Sequence, residues 1–446
     1  MNYYTFLSLT TLILLLSLYI GQRTAKTVKT EEDYFLGGRK LNFFRVCMTI
    51  LATQLGGGAI IGAAEASYKY GFVAISYSLG IAIGLIFLSM GIGSKLRLMN
   101  ISTIPQIFND IYGSKFLCRF SSLIYILSMF FILIAIGVAS RKFALSIGFN
   151  QEWIFISFWL VVIFYTSSGG LNAVTNTDIL QIIFVLGAFI LTYIYLPTSL
   201  PTIVEVNKNI NFDFDNIPWI SWVLMPCLFT IIGQDMAQRC FAAKSPAMIK
   251  WAMILAALLL LCGSILPVYL GTLSQFYGFQ AASNQSVLIN AIISLTNPHI
   301  VSIFCCAILM AILSTADSLL CAISSNVVLD FFSRTDKNAF GRLRYVTFII
   351  GIMAMAGSYI FDDVIGTIII AYNISISCLF VPILMSLFLN KPHSLSAYAS
   401  IIVGGGSFVV LTLFFPTIYN DIIAVLLSLS AFIVVNVYIK HKKNLI

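Results

Sequence analysis

The sequence predicts an all-α integral membrane protein of about thirteen transmembrane helices. Three observations carry that expectation. Of 446 residues, 59% are hydrophobic and only 9% charged, against roughly 25% charged in a soluble domain, and mean hydropathy is +0.97. The apolar residues form long uninterrupted runs, the pattern of membrane-spanning helices and not of barrel strands. The charges are also sorted. With thirteen crossings that start outside, 21 of the 25 basic residues fall in loops on one side, as the positive-inside rule requires of the cytoplasmic face.

The first span, 5–20, has no basic region before it and no clear small-residue cleavage site after it. Arg23, Lys26 and Lys29 follow it, so it reads as an uncleaved helix with its N-terminus outside. A long basic linker leads to ten spans at 43–68, 72–94, 119–140, 153–167, 178–197, 219–238, 251–275, 299–330, 345–361 and 364–389, and spans 394–416 and 421–439 trail. Of the basic residues only Lys69, Arg141, Lys142 and Lys208 fall outside, where Glu205, Asp213, Asp215, Asp362, Asp363 and Asp421 also lie. The chain thus reads as one transmembrane domain with its C-terminus in the cytoplasm. The ten central spans divide into two sets of five, about 43–197 and 219–389, and an odd number per set puts the two in opposite orientation.

The first helix of each set is interrupted. Span 43–68 carries Gly56-Gly57-Gly58, and span 219–238 carries Pro226 and Gly233. Consecutive glycines weaken a helix and bare its backbone, and inside a membrane such backbone survives only when buried in protein or lining a cavity. Broken helices at a midplane binding site are one reading; glycines that let helices pack closely are the other.

Leu309 to Asn326, LMAILSTADSLLCAISSN, is hydrophobic enough to cross a bilayer yet carries Asp317 amid serines and threonine. An intramembrane carboxylate is expensive and marks a functional site by default. Ala311, Ser314, Thr315 and Ser318 share one helical face. Hydroxyl and carbonyl oxygens beside an acid suit a hard cation; a polar seam between two helices is the bland alternative.

Other chemistry is scarce. The nine cysteines lie in or near apolar runs without zinc spacing, three histidines are scattered, and no nucleophile–base constellation is visible. The chain therefore does not read as an enzyme, and no metal other than a transported alkali cation is expected. The net charge of +8 follows from topology and calls for no nucleic acid. Nothing in the sequence demands an obligate protein partner.

Five segments together resemble the sodium:solute symporter family. They are Tyr34-Phe35-Leu36-Gly37-Gly38-Arg39, the small-residue run from Ala52 through Gly62 to Gly71, Ser168-Gly169-Gly170-Leu171-Asn172-Ala173-Val174 with Thr177-Asp178 and Gln181, Gly233-Gln234-Asp235-Met236-Ala237-Gln238-Arg239 with Phe241-Ala242-Ala243-Lys244, and Ser314-Thr315-Ala316-Asp317-Ser318-Leu319-Leu320 with Ser324-Ser325-Asn326. The likeness runs over about residues 5–440.

The resemblance implies a LeuT-like fold of two inverted five-helix repeats with flanking helices. It implies sodium-coupled uptake of a small organic solute, such as a sugar, proline, pantothenate or sialic acid, by alternating access in the plasma membrane, of bacterial inner-membrane type. By position it places the main sodium site at Ala52, Leu55, Ala311, Ser314 and Thr315. A possible second cation site falls at Asp178, Ser314, Asp317 and Ser318. Asp178 also opens a helix, where a carboxylate favours free N–H groups. The solute is expected against Gly56, Gly57 and Gly58, with Gln54, Trp222, Phe229, Tyr372 and Asn373 as candidate walls; aromatics at such spacing also serve as plain core. Proline-type members carry an aspartate where this chain has Gln54, which weakens any proline-type reading.

Three further expectations concern charge. No arginine or lysine is placed deep in the membrane, so Arg141 and Lys142 are interfacial or, alternatively, solute contacts. Glu65 pairs with Lys69, and Asp235 with Arg239, each at i, i+4. Two rival readings remain: a proton-coupled carrier using Asp178 or Asp317, and a non-transporting membrane sensor.

Overall fold

The computed structural model describes the chain except for residues 27, 149–151, 203–204, 207–218, 280–284, 333–338, 390–391, 416–418 and 445–446. The topology charges Lys208, Asp213, Asp215, Arg334, Lys337 and Lys391 lie outside the described residues, as do the side chains of Arg342 and Lys443. Among the described residues there is no strand; a single isolated bridge joins Leu41 and Ala243.

The main helices are α1 (Tyr3–Ala25), α2 (Phe43–Gln54), α3 (Ala63–Tyr70), α4 (Ser76–Phe87), α5 (Lys115–Ser146), α6 (Glu152–Tyr195), α7 (Trp219–Ile232), α8 (Gln234–Ala242), α9 (Pro246–Phe276), α10 (Pro298–Phe331), α11 (Ala339–Gly357), α12 (Val364–Ser375), α13 (Val381–Phe388), α14 (Ser394–Phe414) and α15 (Asn420–Asn444). Nine helical stretches among the described residues are long and apolar enough to cross a bilayer, or ten if the bent pair α7–α8 is one span. That count takes Gly58–Leu98 as one stretch of 41 residues, although the chain turns within it at Gly71 (φ 69°, ψ −156°).

Burial ranks the helices. The most apolar window of α10 is 89% buried, whereas those of α1, α14 and α15 are each 22% buried. The polar α10 is therefore the core of the molecule and the leading and trailing helices flank it. Around α10 pack α2, α5, α6, α8 and α11.

The glycine motifs explain how the interior helices meet. Helix α6 kinks at Gly170 (φ 59°, ψ −159°), a conformation that L side chains rarely adopt. A Cβ there would also lie 2.5 Å from the Tyr34 carbonyl oxygen. The Tyr34–Arg39 motif thus docks in the kink, where the Tyr34 hydroxyl donates to the Ser167 carbonyl at 3.3 Å. The same motif ends beside the second broken helix. Leu41 N–H donates to the Ala242 carbonyl (3.1 Å) and Lys244 N–H to that of Leu41 (2.8 Å), which ties the lead-in of α2 to the end of α8.

Candidate cation and solute site

Both interrupted helices are broken. Helix α2 ends at Gln54, and Leu55 leaves helical geometry (φ −86°, ψ 54°). The chain resumes through a wide turn over Gly58–Gly62, where the Ala63 amide reaches back to the Gly58 carbonyl, and continues as α3. Helix α7 stops at Gly233 (ψ 133°) and α8 departs at 40°. Pro226 sits inside α7, where it removes a backbone donor.

A helix end leaves carbonyls without intrahelical partners, and α10 supplies partners. Ser314 Oγ donates to the Ala52 carbonyl at 2.9 Å and lies 3.0 Å from that of Ala311. Thr315 Oγ1 lies 3.0 Å from the Thr53 carbonyl and 3.2 Å from that of Ala311. Gly56 packs so closely on α10 that an added Cβ would fall 1.8 Å from Thr315 Oγ1. The structure therefore brings Ala52, Ala311, Ser314 and Thr315 together as one cluster of hydroxyl and carbonyl oxygens, with Leu55 buried at the break. Thr53 joins them, unmarked by the sequence reading. A set of neutral oxygens of this kind fits a hard monovalent cation.

The neighbouring groups are arranged differently from expectation. Asp178 is buried and accepts a hydrogen bond from Thr49 Oγ1. Ser318 Oγ lies 3.0 Å from Thr53 Oγ1, and both hydroxyls accept from Arg239 Nη2, at 2.6 and 2.8 Å. Asp317 is fully buried on the same helix. A guanidinium thus meets the Ser318 corner where a second cation was expected.

Four charge expectations are corrected. Arg239 is not a cytoplasmic loop charge: it is fully buried, because α8 is buried along its whole length. It does not pair with the Asp235 side chain; its Nη1 donates to the Asp235 backbone carbonyl at 2.8 Å. Glu65 pairs with Lys142 at 2.8 Å, since α5 brings an ammonium closer than the same-helix Lys69. Lys142 is consequently buried, while Arg141 pairs with Asp362 at 3.0 Å. The premise that no basic side chain lies in the interior therefore fails for Arg239 and Lys142.

A small cavity of about 30 Å³ adjoins the break. Of the candidate solute walls, Gln54, Gly56, Gly58, Phe229 and Tyr372 line it, together with Tyr77, Asp235 and Thr315. Gly57 instead faces Ala139 and Ile136 of α5. Trp222 packs edge-on against Tyr70, with ring centroids 5.6 Å apart, and lines a separate cavity of about 450 Å³ with Glu65, Lys142 and Asp363. Asn373 lines neither. The rings of Phe229 and Tyr372 stack at 4.3 Å, and the Tyr77 and Tyr372 hydroxyls lie 3.3 Å apart. A volume near 30 Å³ suits a water and is too small for an organic molecule in this conformation.

Asp235 and Arg239 escaped the sequence reading as site residues although the signal was present. Gln234, Asp235, Gln238 and Arg239 crowd one short helix. Gln234 Oε1 accepts from Ile104 N–H at 2.7 Å and Gln238 Nε2 donates to the Phe35 carbonyl at 2.7 Å. So dense a polar set is out of place in a bilayer unless α8 is internal.

Comparison with known proteins agrees with this architecture. A family model described as "Sodium:solute symporter family" matches residues 34–404. The Haemophilus influenzae sodium/pantothenate symporter is 25% identical over 439 residues, covering 90% of this chain and 89% of that protein. Human high affinity choline transporter 1 is 24% identical over 463 residues, covering 92% and 78%. Among solved structures, a substrate-bound, outward-open Na+-coupled sialic acid symporter superposes with a TM-score of 0.79 at 17% identity, covering 96% of each chain; at that identity the likeness speaks for the fold.

Proposed function

This chain belongs to the sodium:solute symporter family, and from that premise we propose that it carries a small organic solute across the plasma membrane together with sodium, by alternating access. The observation that carries the reading is the pair of contacts across the break, Ser314 Oγ to the Ala52 carbonyl and Thr315 Oγ1 to the Thr53 carbonyl. These oxygens belong to two separate helices. An ion seated between these oxygens, with the hydroxyl protons turned away from it, ties the broken helix to α10 and binds best in the conformation that keeps both helices in register. Differential affinity of this kind is what coupling requires. The sodium ligands are Ala52, Leu55, Ala311, Ser314 and Thr315, and the solute lies against Gln54, Gly56, Gly58, Phe229 and Tyr372 when the aromatic rings separate.

Arg239 bears on stoichiometry. Its permanent charge meets the hydroxyls of Thr53 and Ser318, which a second cation near Asp178 and Asp317 would otherwise share. Like charges at such range repel strongly in a dry interior. We infer one sodium per solute. The sorted basic residues support an outer N-terminus and a cytoplasmic C-terminus, and the inverted division into residues about 43–197 and 219–389 goes with the family.

The test is uptake into proteoliposomes under an inward sodium gradient, with potassium replacing sodium at fixed voltage and proton gradient. Uptake that collapses in potassium supports the reading. Uptake unchanged in potassium but driven by a proton gradient would transfer the coupling role to Asp178 or Asp317.

A further inference from the structure

Family membership does not choose the solute, because relatives are named for pantothenate, a carboxylate, and for choline, a cation. The cavity makes a choice of its own. Asp235 stands at the second position of α8, directly after the break, and lines the central cavity. The residue is 4% exposed and its Oδ1 is buried without a hydrogen-bond partner. The nearest basic side chain on its own helix, Arg239, is held by other oxygens, namely the Asp235 backbone carbonyl and the hydroxyls of Thr53 and Ser318. No basic side chain lines the cavity.

A carboxylate oxygen kept from water and left unpaired is costly, and removing a partner from a buried charge costs far more than an exposed one. Position at a helix start offsets part of that cost, but it supplies no counter-charge in the cavity that the residue lines. Tyr77, Phe229 and Tyr372 line the same cavity as Asp235, the last two with their rings stacked. Aromatic faces attract organic cations and add nothing for an anion.

We propose that the solute is a small organic ammonium ion whose charge is bound by the Asp235 carboxylate, with Tyr372, Phe229 and Tyr77 as its aromatic surround. The proposal rests on the symporter reading and names the solute class for the same cavity. It also gives meaning to Gln54: the acid that proline-type members carry there is replaced by a neutral amide, and the charge reaches the cavity from the other broken helix.

The experiment uses the purified full chain in detergent, with thermal stabilisation read in sodium and in potassium. The probes are three ammonium ions (ethanolamine, choline and putrescine), 3,3-dimethylbutan-1-ol as the uncharged isostere of choline, and pantothenate as an anion. At least one ammonium ion stabilises in sodium, and charge-dependent discrimination against the isostere reaches about 100-fold. Asp235→Asn lowers affinity for the ammonium probe by about 100-fold while leaving sodium stabilisation in place, and Phe229→Leu weakens it by about 3- to 30-fold. If Asp235→Asn fails to fold, the ratio of choline to its isostere on the wild-type chain decides alone. Binding of the isostere or pantothenate in preference to every ammonium ion overturns the proposal, as does silence of all three ammonium ions or full ammonium affinity in a folded Asp235→Asn. Those outcomes leave sodium-coupled symport standing. Ammonium binding indifferent to sodium instead keeps the solute class and removes the coupling.

Discussion

Gly56→Ala tests the coupling geometry most directly. The added methyl carbon would lie 1.8 Å from Thr315 Oγ1, 2.8 Å from Thr315 Cβ and 3.2 Å from its Cγ2. Turning the Thr315 side chain clears the hydroxyl but not Cβ, so the break and α10 must move apart by several tenths of an ångström or more. Overpacking of a buried site costs about 1–3 kcal/mol, and loss of the Thr315 bond to the Thr53 carbonyl costs about 1 kcal/mol more. If the strain falls on the arrangement that binds sodium, a cost of about 2–4 kcal/mol raises the half-saturating sodium concentration from about 30-fold to several hundred-fold. The assay is sodium titration of solute uptake in proteoliposomes, paired with thermal stability of the same preparation with and without sodium. Gly57→Ala is the control, because its methyl would meet the Ala139 methyl at 3.0 Å and faces away from Thr315; a shift below about 5-fold is expected there. The reasoning fails if Gly56→Ala lowers stability equally in sodium and in potassium while half-saturation stays within 3-fold of wild type. Gly56 would then be a packing glycine and no more.

Thr315→Val keeps the shape and removes one oxygen; sodium titration of uptake should show an increase of about 5- to 50-fold in half-saturation, and Ser314→Ala a similar one. Arg239→Gln leaves the Asp235 carbonyl and the buried hydroxyls without their guanidinium and should lower unfolding stability by about 1–3 kcal/mol in thermal or chemical denaturation. Arg239→Lys should fail to rescue it, because one ammonium cannot span the Asp235 carbonyl and two hydroxyls as the planar fork does. Glu65→Gln and Lys142→Met should each cost about 1–3 kcal/mol, yet their double variant should be more stable than the sum predicts by about 1 kcal/mol or more, because the second change removes the charge that the first leaves unpaired. A double-mutant cycle in denaturant reads this, and exact additivity would remove the ion pair from the account.

What could be read from the sequence was local. The spacing of Ala311, Ser314, Thr315 and Ser318 on one face, the glycines at 56–58 and the break at Gly233 are properties of short stretches, and the structure places all of them at one junction. Partnerships across helices were not readable. Glu65 has Lys69 one turn away in sequence, so helical periodicity assigns them to each other, but α5 presents Lys142 at 2.8 Å. Arg239 was read as a cytoplasmic charge because it follows an apolar run and precedes Lys244. That reading assumes the helix emerges from the membrane where its apolar run ends. Here Leu41 bonds to the backbone of Ala242 and Lys244, and residues 34–41 cover the end of α8. Burial of a charged helix end is a tertiary fact, invisible to hydropathy. The same limit applied to Asp235, whose cavity is built from α4, α7 and α12 as well as from its own helix.

The contrast between Arg239 and the Ser314–Thr315 pair shows how one junction can be both firm and movable. Arg239 links α8 to Thr53 of α2 and to Ser318 of α10, and an arginine keeps its charge under any physiological condition. In this conformation those three helices are tied at that level by a charge that no change in sodium concentration removes. One turn away on α10, Ser314 and Thr315 meet the carbonyls of Ala52 and Thr53 through neutral hydroxyls, whose net worth is only about 1 kcal/mol each. That tie is weak alone, and under the proposed sodium site it becomes strong when a cation joins it. On that proposal the junction has a lasting clasp at Thr53–Ser318 and a removable one at Ala52–Ser314 and Thr53–Thr315, the two sharing Thr53. When the removable clasp opens, the chain beyond it has a place to bend, since Leu55 is already outside helical geometry and Gly56 to Gly58 follow. Motion then concentrates at the segment that lines the solute cavity, so release of the ion and loosening of the solute's wall become one event. A second exchangeable cation at Ser318 would undo this division by making the clasp as transient as the latch, and that is the physical reason a fixed guanidinium there favours a single coupling ion.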